Sequence, residues 1–307
     1  MEKIVYYFYI SKPSHYVTVL KIIRDKKINF NDCYLIIYGH FSNASDFYNT
    51  IINLDIWEDV YFFNSRFKSS LNLYRLCKKH KNKGHKITLF YDNDFGKESL
   101  YLKLIKPKVE MINLFDDGHF SYLEKIPYIG GNKNKIVRLV YQMFNLPSSY
   151  GSSKYIDEYY LFDIDTFKNK RTLKNIQALE ISSSNLSIKD SLKPVFKIPH
   201  IVDNTLTIFC LPKILNDVNE LILEIIKFRN SNIYIKMHPG SLFSFSKVQD
   251  MINSTDTSIN ILEFDSLIPI EVYLDIVEVE DVFLFHYGSS IGLYSNENKK
   301  MIIKDLL

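Results

Sequence analysis

Two acids and a glycine, Asp116-Asp117-Gly118, stand directly after the apolar run that ends in Leu114-Phe115. Paired carboxylates can share a proton, bind a metal or deprotonate a hydroxyl. Adjacent side chains at a strand end point in opposite directions, so one acid faces a ligand and the other caps the turn. That geometry argues against a two-carboxylate metal site. The same three residues also make an ordinary polar turn. A second candidate is Ile233-Tyr234-Ile235-Lys236-Met237, an alternating segment that runs into His238-Pro239-Gly240. In an open α/β sheet ligands bind beyond the carboxyl ends of the strands, where this imidazole falls. A turn histidine before proline is the alternative. A third is Phe285-His286-Tyr287-Gly288-Ser289-Ser290, where two hydroxyls follow an apolar run. Hydroxyls and free amides at a helix start suit a phosphate, although serine is also a common helix cap.

The elements that carry these residues alternate. Apolar runs at Ile4–Ile10, Cys33–Tyr38, Val60–Phe63, Ile87–Tyr91 and Val109–Phe115 read as strands, with helical spacing at Tyr16–Ile23, Ser69–Cys77 and after Asp94 through Leu104. Asp92-Asn93-Asp94 follows the fourth strand. Residues 122–190 are less regular and hold the loop Pro147–Ser153 and the aromatic run Tyr159–Phe162. Pro194 and Pro199 mark a connection, after which Leu206–Leu211, Ile233–Met237, Ile259–Leu262 and Val282–Phe285 read as strands, with a helix over Val218–Phe228. Alternation of this kind implies parallel sheets with right-handed crossovers. The expected fold class is α/β, two Rossmann-like domains (1–195 and 196–307) facing a central cleft.

Apolar residues make up 46% of the 307, enough for two cores, and the formal charge is only +3. That balance gives no support for nucleic acid as a partner. The basic stretch Lys78-Lys79-His80-Lys81-Asn82-Lys83-Gly84-His85-Lys86 reads as a solvated helix end, with contact to anionic lipid headgroups the other reading. Cys33, Cys77 and Cys210 form neither a zinc pattern nor a disulfide framework, which fits a reducing cytoplasm. The opening apolar run is too short for a signal peptide, and no run reaches the roughly 20 apolar residues needed to cross a bilayer. There is no P-loop, no GxGxxG after the first strand and no GxSxG elbow, so ATP hydrolysis, dinucleotide redox chemistry and acyl hydrolysis are poorly supported.

Taken in order, Asp116-Asp117-Gly118, Lys236-Met237-His238-Pro239 and Ser289-Ser290 resemble the D/E-D/E-G, KxHP and serine-pair motifs of the bacterial GT-B sialyltransferases. Leu114–Gly118 with Tyr122, and Ile268-Pro269-Ile270-Glu271-Val272, resemble the surrounding segments. The resemblance covers the motif-bearing parts, about half the chain. It implies a GT-B fold and an inverting, metal-independent sialyltransferase with no resident cofactor. The donor would be CMP-Neu5Ac, and the acceptor a terminal sugar of a lipooligosaccharide or capsular saccharide. Asp116 would be the general base, with Asp117 and Gly118 supporting it. His238 would assist departure of CMP, and Ser289 and Ser290 would hold its phosphate. Glu271 would hold the ribose, and the backbone of Lys236, with Pro239 and Gly240, would complete the donor site. Work at the inner membrane face would make the enzyme peripheral. A transferase for another CMP-activated acidic sugar (Kdo or pseudaminic acid), a non-catalytic glycan-binding protein and a metal-dependent transferase are the alternatives.

Overall fold

A computed structural model of the chain describes residues 2–122, 143, 146–147, 149–169, 177–181, 188–196, 204–212, 218–228, 232–238, 241, 243–255, 258–277, 279–287 and 300–306. It divides into two compact units, Met1–Ser183 and Ser184–Leu307, beside the expected division at 195/196.

The first unit is built on seven parallel strands in the order β3-β2-β1-β4-β5-β6-β7. These are β1 (Ile4–Ile10), β2 (Cys33–Tyr38), β3 (Asp59–Phe63), β4 (Lys86–Tyr91), β5 (Met111–Phe115), β6 (Glu158–Leu161) and β7 (Gln177–Glu180). Central strands are apolar on both faces because helices cover both sides of a parallel sheet; Tyr7, Phe8, Tyr9 and Ile10 of β1 are all fully buried. Four helices matter below: α1 (Pro13–Asp25), α2 (Ala44–Ile52), α3 (Arg66–Asn82) and α4 (Lys97–Ile105). The chain reverses its winding between β1 and β4, which lie side by side, so their carboxyl ends form the switch point where an open sheet opens a crevice.

Gly39 ends β2 under the aromatic ring of Phe62, and a Cβ there would fall 2.3 Å from a ring carbon. Gly39→Ala is therefore expected to push the ring aside and cost ~1–3 kcal/mol, measured by urea unfolding.

The second unit holds five parallel strands in the order β10-β9-β8-β11-β12. They are β8 (Thr205–Cys210), β9 (Ile233–Lys236), β10 (Ile261–Phe264), β11 (Asp281–His286) and β12 (Lys300–Asp305). Phe209 and Phe285 stack at 4.3 Å across neighbouring strands in its core. The two-domain Rossmann-like α/β fold expected from the alternating pattern is the fold of the chain. Three strands differ from expectation. β6 falls in the aromatic run, while β7 and β12 went unread because their half-exposed sequences mix polar residues with at most three consecutive apolar ones.

Candidate functional site

The two acids of Asp116-Asp117-Gly118 do turn to opposite sides. Asp116 points inward and is only 2% exposed. Its carboxylate accepts from the Gly118 amide at 2.7 Å, from the Phe162 amide at 3.1 Å and from the Tyr122 hydroxyl. Gly118 takes φ +76°, a conformation that glycine adopts without strain, and this lets the chain double back over the carboxylate. Burial pushes the Asp116 carboxyl up from its usual range, while these donors pull it back. Asp116 thus caps the turn after β5 and ties it to the end of β6.

Asp117 faces the other way, into a charged cluster at the carboxyl ends of β1, β4 and β5. Lys12 Nζ lies 2.7 Å from Asp117 Oδ1, and His15 Nε2 lies 2.7 Å from the same oxygen. Lys12 also donates to the Asp117 carbonyl at 3.0 Å. The tautomer of His15 follows from its neighbours. Its Nδ1 accepts from the Ser11 amide at 3.3 Å, so Nε2 carries the proton and donates to Asp117. Burial holds His15 below the ordinary imidazole range, which keeps it neutral. Lys12 and His15 outweigh burial at Asp117 and hold its carboxyl down at about 2.

Such a depressed carboxyl stabilises the fold only while ionised. The contribution is present above the unfolded-state value of about 4 and disappears as pH falls through about 2. Asp117→Asn is expected to lower stability by about 2 kcal/mol at neutral pH. The gap between variant and wild type should close on acidification, as read by urea titrations across that range.

Behind this pair lies a second, deeper layer. Asp92, at the end of β4, is 1% exposed and accepts from the Ser11 hydroxyl and, at 2.8 Å, from Arg66 Nη2. Arg66 Nε sits 3.0 Å from Glu98 Oε2, an ion-pair distance without hydrogen-bond alignment. Tyr91 donates to the same Glu98 oxygen at 3.1 Å. The guanidinium lies over the rings of Tyr9 and Tyr38, at 5.1 and 5.3 Å. Arg66 opens α3, where the helix dipole disfavours a cation, and the carboxylates of Asp92 and Glu98 offset that cost. Asp94 accepts from the amides of Gly151 and Ser153 at 2.7 and 2.8 Å, which packs the loop before β6 against β4.

The outward groups of the cluster are Lys12, its side chain 37% exposed, and Asp117 at 12%; His15 at 2% and Asp92 at 1% support them from beneath. The start of α1 adds to this. Its N-cap position, Lys12, makes no side-chain cap, Pro13 removes an amide, and no acid occupies the first turn. An uncapped helix start beside a lysine favours an anion. Among the described residues, no group of three or more His, Cys, Asp or Glu side chains is gathered to hold a metal ion.

In the second unit, β9 delivers Lys236 and His238 as expected. The Lys236 ammonium donates to the Ser266 carbonyl at 2.9 Å, tying β9 to the turn after β10. His238 is exposed, and its carbonyl accepts from the Ser241 amide at 2.9 Å. Pro239, Gly240, Ser289 and Ser290 lie outside the described residues, and Glu271 is placed only as a backbone position in the helix Ile270–Ile276. Sequence reading missed Ser11, Lys12, His15, Arg66 and Glu98. The signal present for Ser11, Lys12 and Asp92 was their position directly after the apolar runs of β1 and β4.

No protein-family model matches the chain, and no curated protein matches it in sequence. Among solved structures it is similar to the UDP-GlcNAc 2-epimerase of Neisseria meningitidis bound to UDP-GlcNAc (TM-score 0.53, 13% identity, 92% of this chain and 77% of that one). It is also similar to the UDP-GlcNAc 2-epimerase of Methanocaldococcus jannaschii (TM-score 0.54, 12% identity, 98% and 89%). An S. aureus protein solved with UDP gives TM-score 0.53 at 10% identity, over 99% and 79%. At these identities the likeness establishes the two-domain Rossmann-like fold. The expectation of sialyl transfer from a CMP donor is corrected here, because the structures similar to the chain include UDP-GlcNAc 2-epimerases, one of them bound to UDP-GlcNAc. Asp116, expected as the general base of that transfer, is buried and engaged by three donors. The Asp116-Asp117-Gly118 motif marks a strand end closed by a polar turn.

Proposed function

We propose that the protein is an enzyme acting on a UDP-sugar, with Lys12 and Asp117 of the first unit as the groups that meet the ligand. The observation that carries this reading is the Lys12–Asp117–His15 arrangement at the switch point of the first sheet. The UDP and UDP-GlcNAc held by structures of the same fold support the choice of nucleotide. Lys12 is the accessible cation, fit for a diphosphate or for charge growing on it as a sugar leaves. Its contact with Asp117 also keeps that carboxylate ionised and only weakly basic. An anionic ligand that draws Lys12 away removes that restraint, so the carboxylate gains proton affinity when substrate is bound. Asp117 then takes a proton either from the sugar, as the bond to UDP breaks and UDP leaves with its electron pair, or from an incoming hydroxyl that replaces UDP at the anomeric carbon. Neutral His15, its proton on Nε2, fixes the orientation of the carboxylate throughout. A reducing compartment suits the three cysteines, none of which is in a disulfide.

Thermal unfolding in the presence of UDP, UDP-GlcNAc, CMP or CMP-Neu5Ac tests the nucleotide. The uridine compounds are expected to raise the midpoint by several degrees at concentrations well above Kd, and the cytidine compounds to leave it unchanged. A rise with CMP alone, or with none of the four, would refute the reading.

A further inference from the structure

The outer face of the helix pair α3–α4 has an unusual composition. The two helices pack together on one side of the first sheet. α3 turns Ser69, Ser70, Leu73, Cys77 and His80 inward, and α4 turns Glu98, Ser99, Leu102 and Ile105 inward. Apart from Asn82, the exposed positions that remain are either large apolar residues or cations, with Leu71 and Leu100 a little over one third exposed. The apolar ones are Phe67 (60% exposed), Leu71, Leu100 and Leu104 (62% exposed), in pairs spaced by four on each helix. The cations are Lys68, Arg75, Lys78, Lys79, Lys81, Lys97 and Lys103. Neither helix exposes an acid; the one carboxylate they contain, Glu98, is buried against Arg66.

Helix-dipole compensation accounts for only part of this charge. Lys79 and Lys81 lie in the last turn of α3, where cations are favourable. Lys68 and Lys97 lie in first turns, where they are unfavourable. Their placement makes sense if the surface they meet is negative. Apolar side chains ringed by lysine and arginine, with no acid among them, are the composition that seats a helix face at the headgroup level of an anionic bilayer.

We propose that the α3–α4 face is a docking surface for a membrane carrying anionic lipid, with Phe67, Leu71, Leu100 and Leu104 entering the interface and the cations meeting headgroups. A second copy of the chain is the less favourable occupant, because a two-fold contact through this face would set like charges against their own copies. This inference does not depend on the proposed reaction.

Co-sedimentation with vesicles tests it, using phosphatidylcholine alone and phosphatidylcholine mixed with phosphatidylglycerol, at low and high salt. The protein should sediment with the mixed vesicles at low salt, remain in solution with the neutral ones, and be released by salt. Phe67→Ser with Leu104→Ser, and separately Lys78→Glu with Lys79→Glu, should each weaken binding on the order of tenfold or more. These positions are exposed, so unchanged thermal midpoints would show that both variants fold. Absence of binding to mixed vesicles, equal binding to neutral ones, or wild-type binding by both folded variants would overturn the proposal. A dimer in sedimentation equilibrium that the Phe67→Ser/Leu104→Ser variant dissociates, without vesicle binding, would assign the face to a second copy instead.

Discussion

Arg66→Met should lower the unfolding free energy by about 3–5 kcal/mol, the range for breaking a buried ion pair by removing one partner. Two carboxylates depend on this guanidinium, Asp92 at 2.8 Å and Glu98 at 3.0 Å, and both are nearly inaccessible to water. Without it, each carboxylate either stays charged in a poorly solvated place or takes up a proton. Methionine fills the space between the Tyr9 and Tyr38 rings without replacing the charge. Burial already pushes the Glu98 carboxyl above its usual range, and the loss of Arg66, which lowers it, should push it higher still. The variant's deficit should therefore shrink as pH falls and the stranded acids protonate. Arg66→Lys should recover part of the stability, because an ammonium restores charge but not the two-sided geometry. Urea titrations of the three proteins at neutral and mildly acidic pH measure this. A loss below about 1 kcal/mol for Arg66→Met would show that the network relaxes into solvent.

Asp117→Asn should reduce turnover of the sugar nucleotide about 10²–10⁴-fold while the variant still binds UDP, since an amide keeps the shape and loses the proton acceptor. Lys12 and His15 would remain in place, so the main effect should fall on kcat rather than on KM. Asp116→Asn should affect stability first, because its partners are the amides of Gly118 and Phe162 and the Tyr122 hydroxyl, which organise the turn. The contrast between neighbouring acids is the useful one. Equal loss of turnover in the two variants, at equal stability, would remove the distinction between a ligand-facing and a turn-capping carboxylate.

The sheets were legible because most of their strands are long apolar runs, such as Ile4–Ile10 and Cys33–Tyr38, whose burial on both faces leaves a plain mark in the sequence. β7 and β12 were not, because a partly exposed strand reads as a mixed polar segment. The Asp116-Asp117-Gly118 turn stood out as a candidate, and the opposite orientation of its acids followed from strand geometry. Which acid faced inward was not legible. That depends on the reversal over Gly118 and on donors from Phe162 and Tyr122, which the fold brings to the strand end. His15 and Arg66 stand just before the helical spacings read at Tyr16–Ile23 and Ser69–Cys77, and nothing in their immediate neighbourhood marks them. Their partners, Asp117, Asp92 and Glu98, are far from them in sequence. The resemblance to sialyltransferase motifs misled for a related reason. Short polar triplets at strand ends report the position of a turn and leave the nucleotide open.

Proton NMR of UDP-GlcNAc incubated with wild type, Asp117→Asn and Asp116→Asn is the experiment to make, following the anomeric proton of the sugar. Replacement of the parent signal by wild type, by a new anomeric signal or with free UDP, together with its persistence in Asp117→Asn and near-normal decay in folded Asp116→Asn, is the outcome expected of a UDP-sugar enzyme working through Asp117. Unchanged UDP-GlcNAc in the wild-type sample, or equal decay with wild type and Asp117→Asn, would contradict it.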